Sequence, residues 1–326
     1  MKNRLNKLKT KILRNTFVRK SIILSRRLVL PGFQGVPFYY VMKFFIESLV
    51  KGVLFQRAAA MTYRIFIAII PMIIAFFSMI SFLGEGIKNT IFSFIESLVP
   101  AYTWPAVSGV ITEVIMRQNG TLFYFFFIFG LYFSIICINS LLNTLNATYF
   151  EVETRNFFKQ LLVSLGILIL FSIILVLVVA IFIAASMIIN YLDRHLFDNM
   201  SIYLQAVYLL KWLFIFLLIY LLISIFYYWA PAQKKNFKFF SAGSSLATIS
   251  MVILLFCLNI YFADFSNYNL IYGSMGALFA ILLWLYFNSL IILIGFDLNV
   301  SIAMAHAQKK RNDKMVLESY AKKEVM

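Results

Sequence analysis

Arg64 and Asp297 are the residues of this 326-residue chain whose type and place could do chemistry. Each interrupts a stretch that is otherwise nearly free of charge: RAAAMTYRIFIAIIPMIIA around Arg64, and YGSMGALFAILLWLYFNSLIILIGFDLNVS around Asp297. An ionised group inside an apolar span is costly, so it faces a bundle interior or water and takes a partner. Arg64 lies six residues past Ala58, where its span opens, and Asp297 seven before residue 304, where the membrane domain ends. At ~1.5 Å per residue both then sit about 9–10 Å deep, where they could pair. Such a pair either locks two helices together or forms a site for a lipid headgroup, a proton or an ion. Tyr63, Asn143, Tyr286 and Asn288 are the candidate polar neighbours. Asn139, Asn143 and Asn146 recur at i, i+4 and i+7, which suits interhelical hydrogen bonding or a polar path.

Other chemistry finds little support. The two histidines, His195 in DRHLFD and His306, fall on opposite sides of the topology derived below, so one metal cannot use both. There is no HxH, CxxC, HExxH or Walker A pattern. Asp193, His195 and Asp198 could hold a metal weakly, but a solvated loop explains them. No cofactor, no metal and no enzymatic role are expected.

The elements that position Arg64 and Asp297 follow from composition. The chain is 62% hydrophobic and 13% charged, with mean hydropathy +0.88, against roughly 25% charged in soluble domains. A bilayer core of ~30 Å needs about twenty apolar residues in a helix. Six stretches qualify: 58–83, 122–144, 160–190, 209–230, 239–263 and 272–301. The expected fold is therefore all-α, a polytopic bundle of six transmembrane helices with short interfacial helices. Pro71 should kink the first span, since it removes a backbone donor. Gly243 with Ala247, Gly273 with Ala277, and Gly276 with Ala280 are small-xxx-small pairs suited to close helix packing. Cys137 and Cys257 fall within spans and read as buried free thiols. Between the first two spans, 84–98 and 107–115 carry helical apolar stripes.

Charge sets the orientation. Residues 1–57 carry 13 Lys and Arg, 145–159 two, 231–238 three, and the stretch after 304 six; Lys88, Arg117 and Arg194 fall on the other side. By the positive-inside rule both termini are cytoplasmic. The net charge of +16 is thus a topology signal, and nucleic acid need not be a partner. Residues 1–37 form a basic cytoplasmic arm suited to anionic lipids, 38–304 the membrane domain and 305–326 a charged cytoplasmic tail. Within 38–56, Lys43, Glu47 and Lys51 share a face, as in a helix lying at the interface.

Four separated blocks carry a resemblance: RAAAMTYRIFIAIIPMIIA (57–75), NATYFEVETR (146–155), FYYWAPAQKKNFKFFSAG (226–243) and YGSMGALFAILLWLYFNSLIILIGFDLN (272–299). Their order and spacing resemble the YihY/BrkB family of bacterial inner-membrane proteins over roughly residues 40–304. The family often has Gly-Ala-Glu where this chain has Gly295, Phe296 and Asp297. The resemblance implies a six-helix bundle in the inner membrane with both ends cytoplasmic. Members have carried a ribonuclease BN label and have been linked to serum resistance and to lipid or lipopolysaccharide handling. The expectation is transport or handling of a lipid or small solute, with the bilayer and a lipid substrate as partners. The alternatives are an assembly partner in the cell envelope and, last, a nuclease. Sequence leaves the oligomeric state open.

Overall fold

The computed structural model describes residues 23–80, 84–98, 120–148, 155–195, 200–232, 238–263 and 274–324, with 104, 108, 109 and 112 besides. The described residues are all-helical, with no strand among them. The helices are α1 (Phe38–Lys51), α2 (Leu54–Ile80), α3 (Glu85–Leu98), α4 (Gly120–Asn146), α5 (Phe157–His195), α6 (Met200–Trp229), α7 (Ala242–Ala263) and α8 (Ser274–Glu324). Four described segments are long and apolar enough to cross a membrane: Phe127–Asn146, Phe157–Ala185, Gln205–Trp229 and Leu278–Met315. The apolar segment Ala242–Leu258 of α7 is shorter, and α2 carries Arg57, Arg64 and an internal Pro71. The basic arm through residue 22, the stripe at 107–115 (apart from 108, 109 and 112) and Gly273 lie outside the described residues.

The six long helices pack in chain order: α2 on α4, α4 on α5, α5 on α6, α6 on α7 and α7 on α8. Contact of α8 with α2 closes the ring, and α1 lies along α8. One end of the ring is filled. Leu54, Ala58 and Met61 of α2 meet Leu142 and Leu145 of α4, Ile167 of α5, Phe226 and Tyr227 of α6, Ala247 of α7, and Leu293 and Phe296 of α8. A smaller cluster seats Phe33, Val36 and Val41 against Leu298, Ile302 and Ala305, which fixes α1 on α8. Towards the other end, α5 and α6 present long apolar faces outward, among them Ile173, Val176, Leu209, Leu213 and Phe214.

Two breaks shape the filled end. PGFQGVP bends with positive φ at Gly32, Gln34 and Gly35 and buries Phe33 and Val36. Between α1 and α2, Gly52 donates to the Ser48 carbonyl at 2.7 Å, and Val53 takes φ 44°. A β-branched residue is strained in that region. The strain separates α1 from α2 where a single longer helix would otherwise form.

One sequence expectation changes. Cys137 is buried, but Cys257 is exposed, because it lies on the face of α7 beside Phe256 and Ile260, which are also exposed. The stretch after 304 continues the last helix: α8 runs unbroken to Glu324 over 51 residues, roughly 76 Å at ~1.5 Å per residue.

Candidate functional site

The structure divides the residues that sequence placed together. Asp297 is wholly buried, and its ion-pair partner is Arg57, not Arg64. The Arg57 Nη1 stands 3.4 Å from Oδ2 and 3.5 Å from Oδ1. Ser48 of α1 donates its hydroxyl to Oδ2 at 3.1 Å. Arg57 also donates Nε and Nη2 to the Thr144 carbonyl at 3.1 and 2.9 Å. Thr144 lies in the last turn of α4, where carbonyls lack intrahelical donors and the helix dipole favours a cation. One guanidinium therefore caps α4 and pairs with α8, while Ser48 adds α1. The chemistry is that of a lock between elements.

Arg64 instead donates to the Ser140 hydroxyl of α4. The reason is depth: Arg64 points to nearly the same side of α2 as Arg57 but lies about 10 Å further along it, at ~1.5 Å per residue, beside the flank of α4 rather than its end. Leu54, Arg57, Ala58, Met61, Thr62 and Ala68 form the buried side of α2. Phe55, Gln56, Ala59, Ala60, Tyr63, Arg64 and Ile67 form its exposed side. Arg64 sits at the edge of that exposed side, next to α4. Asn143 is exposed on α4, and its Oδ1 accepts from Gln160 Nε2 of α5 at 2.5 Å. On α8, the Asn288 amide is spent locally on the Trp284 carbonyl at 2.8 Å, and Tyr286 packs half-buried against the core. Arg64, Tyr63 and Asn143 thus lie on the exposed sides of α2 and α4, Asp297 in the interior, and Tyr286 and Asn288 on α8, nine or more residues before Asp297.

Further polar clamps secure the filled end. Asn146 donates to the Ala230 carbonyl at the end of α6 at 2.9 Å. Arg155 donates to the Trp229 carbonyl at 2.9 Å and also to that of Pro231. Tyr227 donates its hydroxyl to the Ile292 carbonyl of α8 at 2.6 Å. Ser241 caps α7 by accepting the Ser244 N–H at 3.1 Å, and Ser244 Oγ accepts the Ser241 N–H at 3.2 Å. This is a reciprocal capping box. Asn299 of α8 adds to it: its Oδ1 accepts the Gly243 N–H at 2.8 Å, and its Nδ2 donates to Ser241 Oγ at 2.8 Å. Lipid supplies no hydrophobic drive between helices, so such bonds, at ~0.6–2 kcal/mol each, carry much of the association. Asn299→Leu strands the Gly243 N–H. It is expected to destabilise the fold by about 1–3 kcal/mol, seen as a lower melting temperature in detergent.

Sequence reasoning missed Arg57 and Ser48. By sequence Arg57 counts among the topogenic cations, because it opens the span. A guanidinium at the start of RAAAMTYR, seven residues from Arg64 and so nearly above it on the helix, was the available signal. Among the described residues, no group of three His, Cys, Asp or Glu side chains could hold a metal.

The sequence comparisons agree with the architecture. Residues 45–318 match the profile of the family described as Virulence factor BrkB. YfkH of Bacillus subtilis (strain 168), whose name calls it ribonuclease-like, is 25% identical over 260 residues, 79% of this chain and 92% of its own length. A UPF0761 membrane protein of Aggregatibacter aphrophilus (strain NJ8700) is 26% identical over 267 residues, 81% of this chain and 92% of its own. Another, of Haemophilus influenzae (strain 86-028NP), is 25% identical over 249 residues, 74% of this chain and 87% of its own. No solved structure matches. With its apolar helices, this is a multi-pass membrane protein, and it belongs to the family of virulence factor BrkB.

Proposed function

We propose that the chain handles or transports a lipid or small solute at the cytoplasmic membrane and performs no catalysis of its own. In this reading the six long helices α2 and α4–α8 all span, and both termini are cytoplasmic. The filled end, where most of the basic residues gather, then faces the cytoplasm. One observation carries the reading: the exposed sides of α2 and α4 present Arg64, Tyr63 and Asn143 outward, at what this reading takes as membrane depth. Polar groups are expensive there and mark substrate sites by default. The test is reconstitution of the full chain into vesicles carrying a fluorescent phospholipid, with a membrane-impermeant quencher outside. Transbilayer movement above that of protein-free vesicles is expected. Rates equal to the protein-free rate, for lipid and for co-trapped small solutes alike, would count against the proposal.

A second reading, an assembly partner in the envelope, draws on Ala59 and Ala60 on the exposed side of α2, where small side chains could admit a helix of another protein. A stoichiometric complex that survives purification, without lipid movement, would favour it.

A further inference from the structure

We infer that the outward seam of α2 and α4 is a binding site for one phospholipid with an anionic, hydroxyl-bearing headgroup, held through its phosphate by Arg64. The inference rests on the lipid-handling reading above and names the lipid class.

The first observation is charge without compensation. A guanidinium has five N–H donors. Ser140 takes from one of them, and no carboxylate among the described residues pairs with Arg64. Arg57, about two turns away on the same helix, shows the contrast: it is buried, with a carboxylate and a carbonyl. Arg64 is exposed. At membrane depth water is scarce, so its remaining donors need an acceptor that arrives from outside the chain. A phosphate diester fits, because the planar fork matches paired anionic oxygens.

The second is the arrangement along α4. Asn143, Asn139 and Ser140 occupy one stripe near the filled end. The same stripe continues towards the other end as exposed Ile136, Tyr132 and Phe129. From Ser140 to Phe129 the rise is roughly 16 Å at ~1.5 Å per residue, close to one leaflet's share of a ~30 Å core. Polar groups at the top and an apolar track of one leaflet's length match a headgroup and an acyl chain. A free phosphate would use only the top.

The third is an unmet acceptor. Asn139 Oδ1 is shielded from solvent and has no hydrogen-bond partner. Asn143 Oδ1 is already occupied by Gln160. Asn139 as a residue is partly exposed, so a turn of its side chain would open Oδ1 to a headgroup hydroxyl; a phosphate, itself an acceptor, could not satisfy it. Phosphate for Arg64 and hydroxyl for Asn139 together describe a phosphoglycerol-type headgroup.

The test is native mass spectrometry of the full chain in mild detergent, titrated with phosphatidylglycerol and, separately, phosphatidylcholine. The wild type should retain one phosphatidylglycerol in preference to phosphatidylcholine. Arg64→Gln should weaken that retention about tenfold, the loss of one charge-assisted contact. Arg64→Lys should keep part of it, and Lys211→Gln, which removes a cation on α6, should change nothing. Equal retention of the two lipids, or unchanged retention in Arg64→Gln, overturns the inference. Displacement of the lipid by millimolar inorganic phosphate also overturns it, because the track below Ser140 would then contribute nothing. Should Arg64→Gln fail to fold, Phe129→Ser and Ile136→Ser test the track instead, and wild-type retention in both sinks the proposal. Binding and movement separate the two claims. Lipid movement in vesicles with no selective binding removes this site alone, and selective binding with no movement removes the transport reading alone.

Discussion

Arg57→Met is expected to destabilise the fold by about 3–5 kcal/mol, the usual cost of stranding one partner of a buried ion pair. Asp297 is 0% exposed and Arg57 7% exposed, so water cannot rescue the orphaned carboxylate. Asp297→Leu should be as damaging by the converse route. The informative variant is the double, Arg57→Met with Asp297→Leu. Exchanging a whole buried pair for apolar residues is often close to neutral. Here recovery should be partial, because Arg57 also satisfies the Thr144 carbonyl at the end of α4 and Ser48 loses its acceptor. Melting of all three variants in detergent gives the coupling energy between the two positions. Single variants that melt like the wild type would show that the pair is no lock. A double variant that recovers completely would show that the α4 cap contributes nothing.

The second large effect is steric. A Cβ at Gly243 would stand 2.1 Å from the Gly295 carbonyl oxygen and 2.5 Å from Asn299 Oδ1. A Cβ at Gly295 would stand 2.6 Å from the Tyr227 hydroxyl, 2.7 Å from the Gly243 carbonyl oxygen and 2.9 Å from Ala247 Cβ. Here α7 and α8 touch backbone to backbone, and the two opposing carbonyl oxygens cannot swing away as a side chain would. Gly243→Ala or Gly295→Ala must push the helices apart, at a cost of about 1–3 kcal/mol or more. Separation at Gly243 also stretches the Asn299 clamp, and at Gly295 it displaces the Tyr227 hydroxyl from Ile292. The expected readout is a lower melting temperature with faster proteolysis of the purified protein. Ala247→Gly only removes a methyl and should cost less than either. If both alanine variants match the wild type, the crossing is looser than its geometry implies.

The sequence exposes some of this plainly and some not at all. Long apolar runs announce the helices because a ~30 Å core admits few alternatives. That Asp297 would be buried and paired was equally legible, since a lone acid in thirty apolar residues has few options. Its partner was not. Arg57 and Arg64 differ by seven residues, nearly two full turns, so both point to almost the same side of α2. What separates them is depth along the contact with α4. Arg57 meets the end of that helix, and Arg64 meets its flank one turn in. Depth depends on how α2 and α8 slide past each other, and the 240-position separation of Arg57 and Asp297 leaves that register unwritten. The length of α8 was legible in one respect: no Gly or Pro occurs after Gly295, so nothing in the chain stops the helix at the membrane surface.

The closed ring has a consequence for how the protein is made. Arg57 belongs to the first long helix and Asp297 to the last, and α8 is the element that closes the circle. At a synthesis rate of ~5–20 residues per second, Arg57 waits about 10–50 s for its carboxylate. Throughout that interval the nascent chain carries an unmatched cation in an unfinished bundle. Every intermediate short of α8 is therefore marked as incomplete by its own charge. A chain truncated before α8 should be held by the insertion machinery or destroyed by membrane proteases, and should not accumulate as a five-helix product.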